Sequence, residues 1–235
     1  MRPVLLIARN FAREQRWPLF FLLLWVVGWA VVGLIDPERN PDDALMIFRQ
    51  LAVYSVTFGV FFGSSAVQAD QRSRRVLAVL SKGISRAQYI LGLLMGIGFV
   101  LGIFCLCMGF TATWLLGRFG FQIGTLWFGM LALWTACLLT SSLTLSFSTF
   151  LPPLFAAIAT GTLAGIPALL AFHGDAISKF LIPVYGLVEP LIAAELVPKW
   201  QIRPSLVLIG WVEIILFWMV ASWIFSRRDL AVTAE

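Results

Sequence analysis

ADQRSRRVLAVLSKGISRAQYILGL, residues 69–93, is a basic, polar island in a chain that is otherwise largely apolar. Its five cations, Arg72, Arg74, Arg75, Lys82 and Arg86, sit between two runs that carry almost no charge. Across the 235 residues, 60% are apolar and 12% charged, whereas soluble domains hold roughly 45–50% and about 25%. The island therefore reads as a loop between membrane segments, and the surrounding pattern sets the fold class: an all-α integral membrane protein.

Six apolar segments approach or exceed the length needed to cross a hydrocarbon core of about 30 Å at 1.5 Å per residue. They are Leu19–Ile35, Leu51–Ala69, Gln88–Leu116, Ile123–Leu145, Leu151–Phe172 and Ser205–Phe225. Lipid offers backbone groups no partner and the segments lack the alternation of barrel strands, so helices are expected. The chain divides accordingly into an interface helix (1–17), spans 1 and 2 (19–69), a loop (70–87), spans 3 to 5 (88–172), an external segment (173–204), span 6 (205–225) and a tail (226–235). These pieces form one transmembrane domain and leave no room for a folded soluble one, so any energy source is expected on another chain.

The formal charge of +5 raises nucleic acid as a partner, but the distribution of charge argues against it. Arg2, Arg9, Arg13, Arg16, Arg72, Arg74, Arg75, Lys82, Arg86, Arg227 and Arg228 fall on one side of a six-span topology, eleven of the seventeen cations. The other side holds six cations offset by seven acids, among them Asp36, Glu38, Asp42 and Asp43. The positive-inside rule then places both termini in the cytoplasm, as an even number of spans requires. A plasma (inner) membrane location is expected, with membrane lipids and not nucleic acid as partners.

Residues 2–16 form an amphipathic candidate whose arginines fall within about 60° of one another at 100° per residue. Such a helix lies in the interface with its cations toward headgroups, and Trp17–Pro18 marks a bend into span 1. The acids of residues 36–43 lack a glycine-centred calcium loop and read as a solvated turn, so no metal site is expected. Small residues recur at about four-residue spacing in three spans: Gly59 and Gly63; Gly92, Gly96, Gly98 and Gly102; Ala157, Gly161 and Gly165. Such stripes let helices approach closely and predict a compact bundle. Ser141, Ser142, Ser146, Ser148 and Thr149 read as a short uncharged cytoplasmic turn before Pro152 and Pro153.

The segment after Phe172 stays apolar but is broken by Pro183, Gly186, Pro190 and Pro198, as expected of short external helices or a re-entrant cap. His173 at its start reads as a hydrogen-bonded helix-end residue, and Cys105, Cys107 and Cys137 as small packing residues inside spans. Glu213 is the one ionisable residue deep in a span, where a carboxylate costs a few kcal/mol unless neutral or partnered. It either lines a substrate or proton path or is a neutral acid bonded to a serine or backbone carbonyl in a helix contact.

Within the island, Asp70 and Arg74 are one helical turn apart, Val76, Leu77 and Leu80 give an apolar side, and Gly83 ends the run. Ser85 with Gln88 makes a capping box that starts span 3. A short cytoplasmic helix, a tight turn and a re-entering span follow.

The sequence ADQRSRRVLAVLSKGISRAQYILG resembles the cytoplasmic loop of the membrane permeases of type-2 ATP-binding-cassette (ABC) transporters, and FSRRDL, residues 225–230, is similar to that family's close. The N-terminal helix, the serine-rich stretch and the long segment before span 6 follow the family's order. Gln71 stands where the family often has an acid, Gly83 where it has proline and Leu93 where lysine is frequent.

The resemblance implies a permease, probing no chemistry of its own and so not an enzyme, that pairs with a second copy or a paralogue. It further implies a separate cytoplasmic ABC ATPase subunit holding ATP and Mg. This chain has no G-x-x-x-x-G-K-[ST] loop and no expected cofactor of its own. Asp70, Arg72, Arg74, Arg75, Leu77, Leu80, Lys82, Gly83, Ser85 and Arg86 would couple to that ATPase, and Glu213 is the candidate on a substrate path. Export is the implied direction. A secondary transporter or channel is the alternative, and an intramembrane enzyme, which needs clustered His, Asp, Glu or Ser, a more distant one.

Overall fold

The computed structural model describes residues 2–35, 41–72, 83–117, 120, 122–173, 180–192 and 203–227. Within them lie eight helices and no strand: α1 (Arg2–Glu14), α2 (Arg16–Ile35), α3 (Pro41–Arg72), α4 (Arg86–Leu116), α5 (Ile123–Ser148), α6 (Pro153–Phe172), α7 (Val184–Ile192) and α8 (Pro204–Arg227). Five of the described helices are long and apolar enough to cross a membrane, namely α4, α5 and α8 with the stretches Leu45–Gln68 of α3 and Pro153–Ala171 of α6. They mark a multi-pass membrane protein. The apolar part of α2, Arg16–Val31, is shorter than these five.

Helix α5 is the centre of the bundle, packed on α3, α4, α6, α7 and α8. Its second half corrects the sequence reading. Residues Ser141–Ser148 are helical and buried, and the turn comes only at Thr149–Pro152. The hydroxyls explain why: Thr140, Ser142, Thr144 and Ser148 donate to carbonyls three or four residues back in their own helix, which removes the need for water. Serine and threonine then act as small residues that admit close neighbours. Two further serines reach across, Ser141 Oγ donating to the Gly59 carbonyl at 2.9 Å and Ser146 Oγ to that of Phe217 at 2.9 Å.

Two of the three small-residue stripes are packed. A Cβ at Gly59 would lie 2.7 Å from the Cys137 carbonyl oxygen, and one at Gly63 would lie 2.6 Å from that of Ser141. Helices α3 and α5 thus touch backbone to backbone. Gly92 and Gly96 of α4 do the same for α1, where added Cβ atoms would meet Ile7 at 2.8 Å and Phe11 at 2.9 Å. Contacts on α1 and α4 advance together by one turn, so the two run with the same polarity where they touch. The apolar side of α1, Val4, Ile7 and Phe11, is consequently buried against protein, while Leu5 and Leu6 are left exposed. Gly161 and Gly165 of α6 have nothing within 4 Å of an added Cβ, and that stripe faces outward.

Other boundaries moved too. Helix α3 starts at Pro41, about ten residues before the apolar run, because proline is tolerated in a helix's first turn and the intervening residues keep it helical. Between α1 and α2 the break falls at Gln15, ahead of Trp17–Pro18, and backbone bonds from Gln15 to Phe11 and from Leu19 to Gln15 bridge it. In the segment before α8, the described part is the short helix α7, whose Gly186, Leu187, Val188 and Leu191 are buried in the bundle. Residues 174–179 and 193–202 of that segment lie outside the described residues, as does most of the acidic loop, 36–40.

Candidate functional site

The ends of α3, α4 and α8 that carry the arginines lie at one end of the bundle, here the basic end. Helix α4 begins there as its sequence dictates. Ser85 has extended backbone (φ −69°, ψ 150°), its Oγ accepts the Gln88 N–H at 3.2 Å, and the Gln88 side-chain oxygen accepts the Ser85 N–H at 3.2 Å. Both first-turn donors are thereby satisfied without solvent. Gly83, two residues earlier, has φ +76° and is exposed. That left-handed backbone suits glycine and is closed to proline, whose ring fixes φ near −65°. The glycine that stands where the resembling family has proline therefore makes a different turn.

Arg86, the first residue of α4, reaches the other end of the chain. Its guanidinium donates to the Phe225 carbonyl at 2.7 Å and to the Ser226 carbonyl at 3.1 Å, and lies 5.8 Å from the Phe225 ring centre. The last carbonyls of a helix lack intrahelical partners and carry the negative end of its dipole, so a cation is the fitting cap. Tyr89, one turn on and buried, stacks on Phe225 with centroids 5.7 Å apart and planes at 23°. Trp218 Nε1 donates to the Ala87 carbonyl at 3.3 Å, and Arg227 lies 4.1 Å over the Trp223 ring. Gln68 near the end of α3 donates to the Leu151 carbonyl at 3.4 Å, tying in the turn between α5 and α6.

The two most distinctive stretches of sequence, 83–92 and 225–227, are thus one joint. Of the candidate coupling residues, Gly83, Ser85 and Arg86 belong to it. Asp70 and Arg72 continue α3 through its final turn. Arg74, Arg75, Leu77, Leu80 and Lys82 lie outside the described residues, together with Arg228 and the rest of the tail. Tyr89, Trp218 and Phe225 were not among the sequence candidates. Tyr89 and Phe225 lie inside the quoted motifs, and nothing local in the sequence says that they touch.

Glu213 sits toward the opposite end, in α8. Its Oε1 accepts the backbone N–H of Ile182 at 3.3 Å, while Oε2 is buried with no hydrogen-bond partner among the described residues. Ile182 has φ +53°, a strained conformation for a β-branched residue, two residues before α7. The carboxylate therefore holds the turn that leads into the short helix. The partner is neither the serine nor the backbone carbonyl that the sequence suggested but a backbone N–H in the turn before α7. His173 caps the far end of α6, its Nδ1 2.7 Å from the Leu169 carbonyl oxygen. Among the described residues, no group of three or more His, Cys, Asp and Glu side chains gathers.

No protein-family model, curated protein or solved structure matches the chain.

Proposed function

We propose that this protein is the membrane-spanning permease subunit of an ATP-driven ABC transporter, an exporter with six spans and cytoplasmic termini. The observation that carries the reading is the joint at the basic end. The stretches that resemble the permease family's loop and close, far apart in sequence, are held together by Arg86, Tyr89 and Phe225. Such a joint suits a mechanical role. A coupling segment at 70–82 that is pushed by an ATPase would move against a base fixed to both α4 and α8. Closure of two ATP-bound ATPases then biases the spans between inward and outward openings, as any population shift requires differential binding to the two states.

The second permease copy is assigned to α6. Leu154, Phe155, Ile158, Leu163, Ile166 and Leu169 are exposed along it, and Gly161 and Gly165 leave its backbone approachable. The substrate would pass between the two copies. The test is copurification: a tagged chain in mild detergent should bring down an ABC ATPase whose hydrolysis depends on this subunit. Substitution of Arg74 and Arg75 by glutamate should abolish that capture while insertion persists. A chain that never captures an ATPase, and whose transport ignores ATP, would overturn the proposal.

A further inference from the structure

A long groove lies on the side of the bundle formed by α1, α4, α5 and α8, with a volume of about 790 Å³. That is within the roughly 300–1,000 Å³ typical of small-molecule sites. Its floor is α4, opened where Gly98 and Gly102 lack side chains, and its walls are α1 on one side and α8 on the other. Two of its three indoles have their N–H groups engaged: Trp134 Nε1 donates to the Gly98 carbonyl at 2.9 Å and Trp218 Nε1 to the Ala87 carbonyl at 3.3 Å. Trp211 packs edge to face on Trp134, with centroids 5.6 Å apart. Arg9 is the one charged residue of the lining, and the other side chains are apolar or aromatic.

Arg9 is exposed, and among the described residues its guanidinium makes no hydrogen bond or ion pair. A Cβ on Gly96 would meet the carbonyl oxygen of Ala8 at 3.0 Å, which sets Arg9 near the level of Gly96, the tenth residue after Arg86. On α4 at that level Met95 and Phe99 are apolar and exposed. The apolar lining continues past Arg9 both ways, to Leu5 and Leu91 toward the basic end and to Ile103 and Leu106 away from it. The cation therefore stands inside the groove and not at its mouth. An unpaired guanidinium among apolar side chains gains most from an anion, because a charge-assisted hydrogen bond strengthens as water is excluded. The groove thus suits one negative charge with apolar groups on either side of it and few other polar groups.

We propose that the groove is a binding site for a lipophilic organic anion of the diarylacetate kind, whose carboxylate pairs with Arg9 while its rings lie against Phe99, Trp134 and Trp211. A bilayer phospholipid, which carries its charge at one end of its apolar chains, fits this arrangement less well. Helix α6, to which the second copy is assigned, takes no part in the groove, so the site stands apart from a path between copies and depends on no ATPase. It gives α1 a role besides orientation, as the element that carries the anion-binding group.

The test is equilibrium binding of radiolabelled diphenylacetate to the intact purified protein in detergent, read by scintillation proximity. Diphenylacetate should bind saturably, and its neutral isostere diphenylacetamide should compete roughly tenfold more weakly than the unlabelled acid. Arg9→Gln should weaken diphenylacetate binding roughly tenfold, as loss of a charge-assisted hydrogen bond does, and Arg9→Lys should retain part of it. Arg13→Gln, on the same helix but not in the groove, should change nothing. Gly102→Leu should weaken binding as well; its Cβ meets only Trp134, at 3.4 Å, so the fold tolerates it. Absence of saturable binding, equal competition by acid and amide, or equal weakening by Arg9→Gln and Arg13→Gln would overturn the site. So would stoichiometric displacement of diphenylacetate by phosphatidylglycerol, which would make a bilayer lipid the occupant. Cross-linking of two copies through Leu106→Cys in the membrane would overturn it too, since a second copy would then fill the groove.

Discussion

Arg86 and Phe225 stand 139 positions apart in the sequence and form one contact: a guanidinium 2.7 Å from a carbonyl oxygen and 5.8 Å from the Phe225 ring centre, with that ring stacked on Tyr89. The pair joins the start of α4 to the close of α8 at the end of the bundle where the cations gather. Lysine at position 86 would keep the charge but not the fork that reaches two carbonyls at once. Arg86→Lys is expected to lower stability by about 1–2 kcal/mol, the range for hydrogen bonds to a charged group that is partly exposed, and Arg86→Ala by more. Thermal unfolding in detergent measures both, and ATPase capture should fall in the same order.

Gly83 offers a purely backbone test. Nothing lies within 4 Å of an added Cβ, so Gly83→Ala should cost only the left-handed conformation, about 1 kcal/mol. Asparagine tolerates that region better and should recover most of the loss. Proline, the residue of the resembling family, should be the worst of the three, because it cannot reach φ +76°. If Gly83→Pro proves neutral, the turn is not the one described.

The small-residue stripes predict opposite outcomes for the same change. Gly63→Ala places a methyl group 2.6 Å from a backbone oxygen of α5 and should destabilise by about 1–3 kcal/mol, as overpacking does. Gly161→Ala, in the open stripe of α6, should leave the single chain as stable as before. Larger residues at Gly161 should instead reduce pairing of two copies, measured by cross-linking in membranes.

For Glu213 the side-chain oxygen matters more than the charge. Glu213→Gln keeps an acceptor for Ile182 and should fold and function normally. Glu213→Leu leaves that buried N–H without its partner and should cost about 1–3 kcal/mol. Protease protection of the segment around α7 should drop with the second variant alone. Loss of transport in Glu213→Gln with stability intact would restore the carboxylate to a substrate path.

What could be read from the sequence was whatever repeats locally. Apolar runs give the long helices, and the pattern Ser85–x–x–Gln88 gives the start of α4 to the residue. The small-residue spacing gives the close contacts of α3 and α4 but not their partners, since Gly92 and Gly96 face α1 while Gly161 and Gly165 face outward. Amphipathicity likewise says that α1 has an apolar side without saying whether lipid or protein covers it. The serines of α5 read as a turn, yet their hydroxyls bond carbonyls of the helix that carries them and the helix continues through them. The joint itself was illegible, because no local pattern links Arg86 to a carbonyl 139 positions away.

That separation also places the joint in time. A chain is made from its N-terminus, and α4 enters the bilayer long before α8 exists. Until α8 arrives, Arg86 has no helix end to cap and Tyr89 no ring to lie on. The basic end acquires its form only when α8 packs, so a partner that recognises this joint meets α4 and α8 already together.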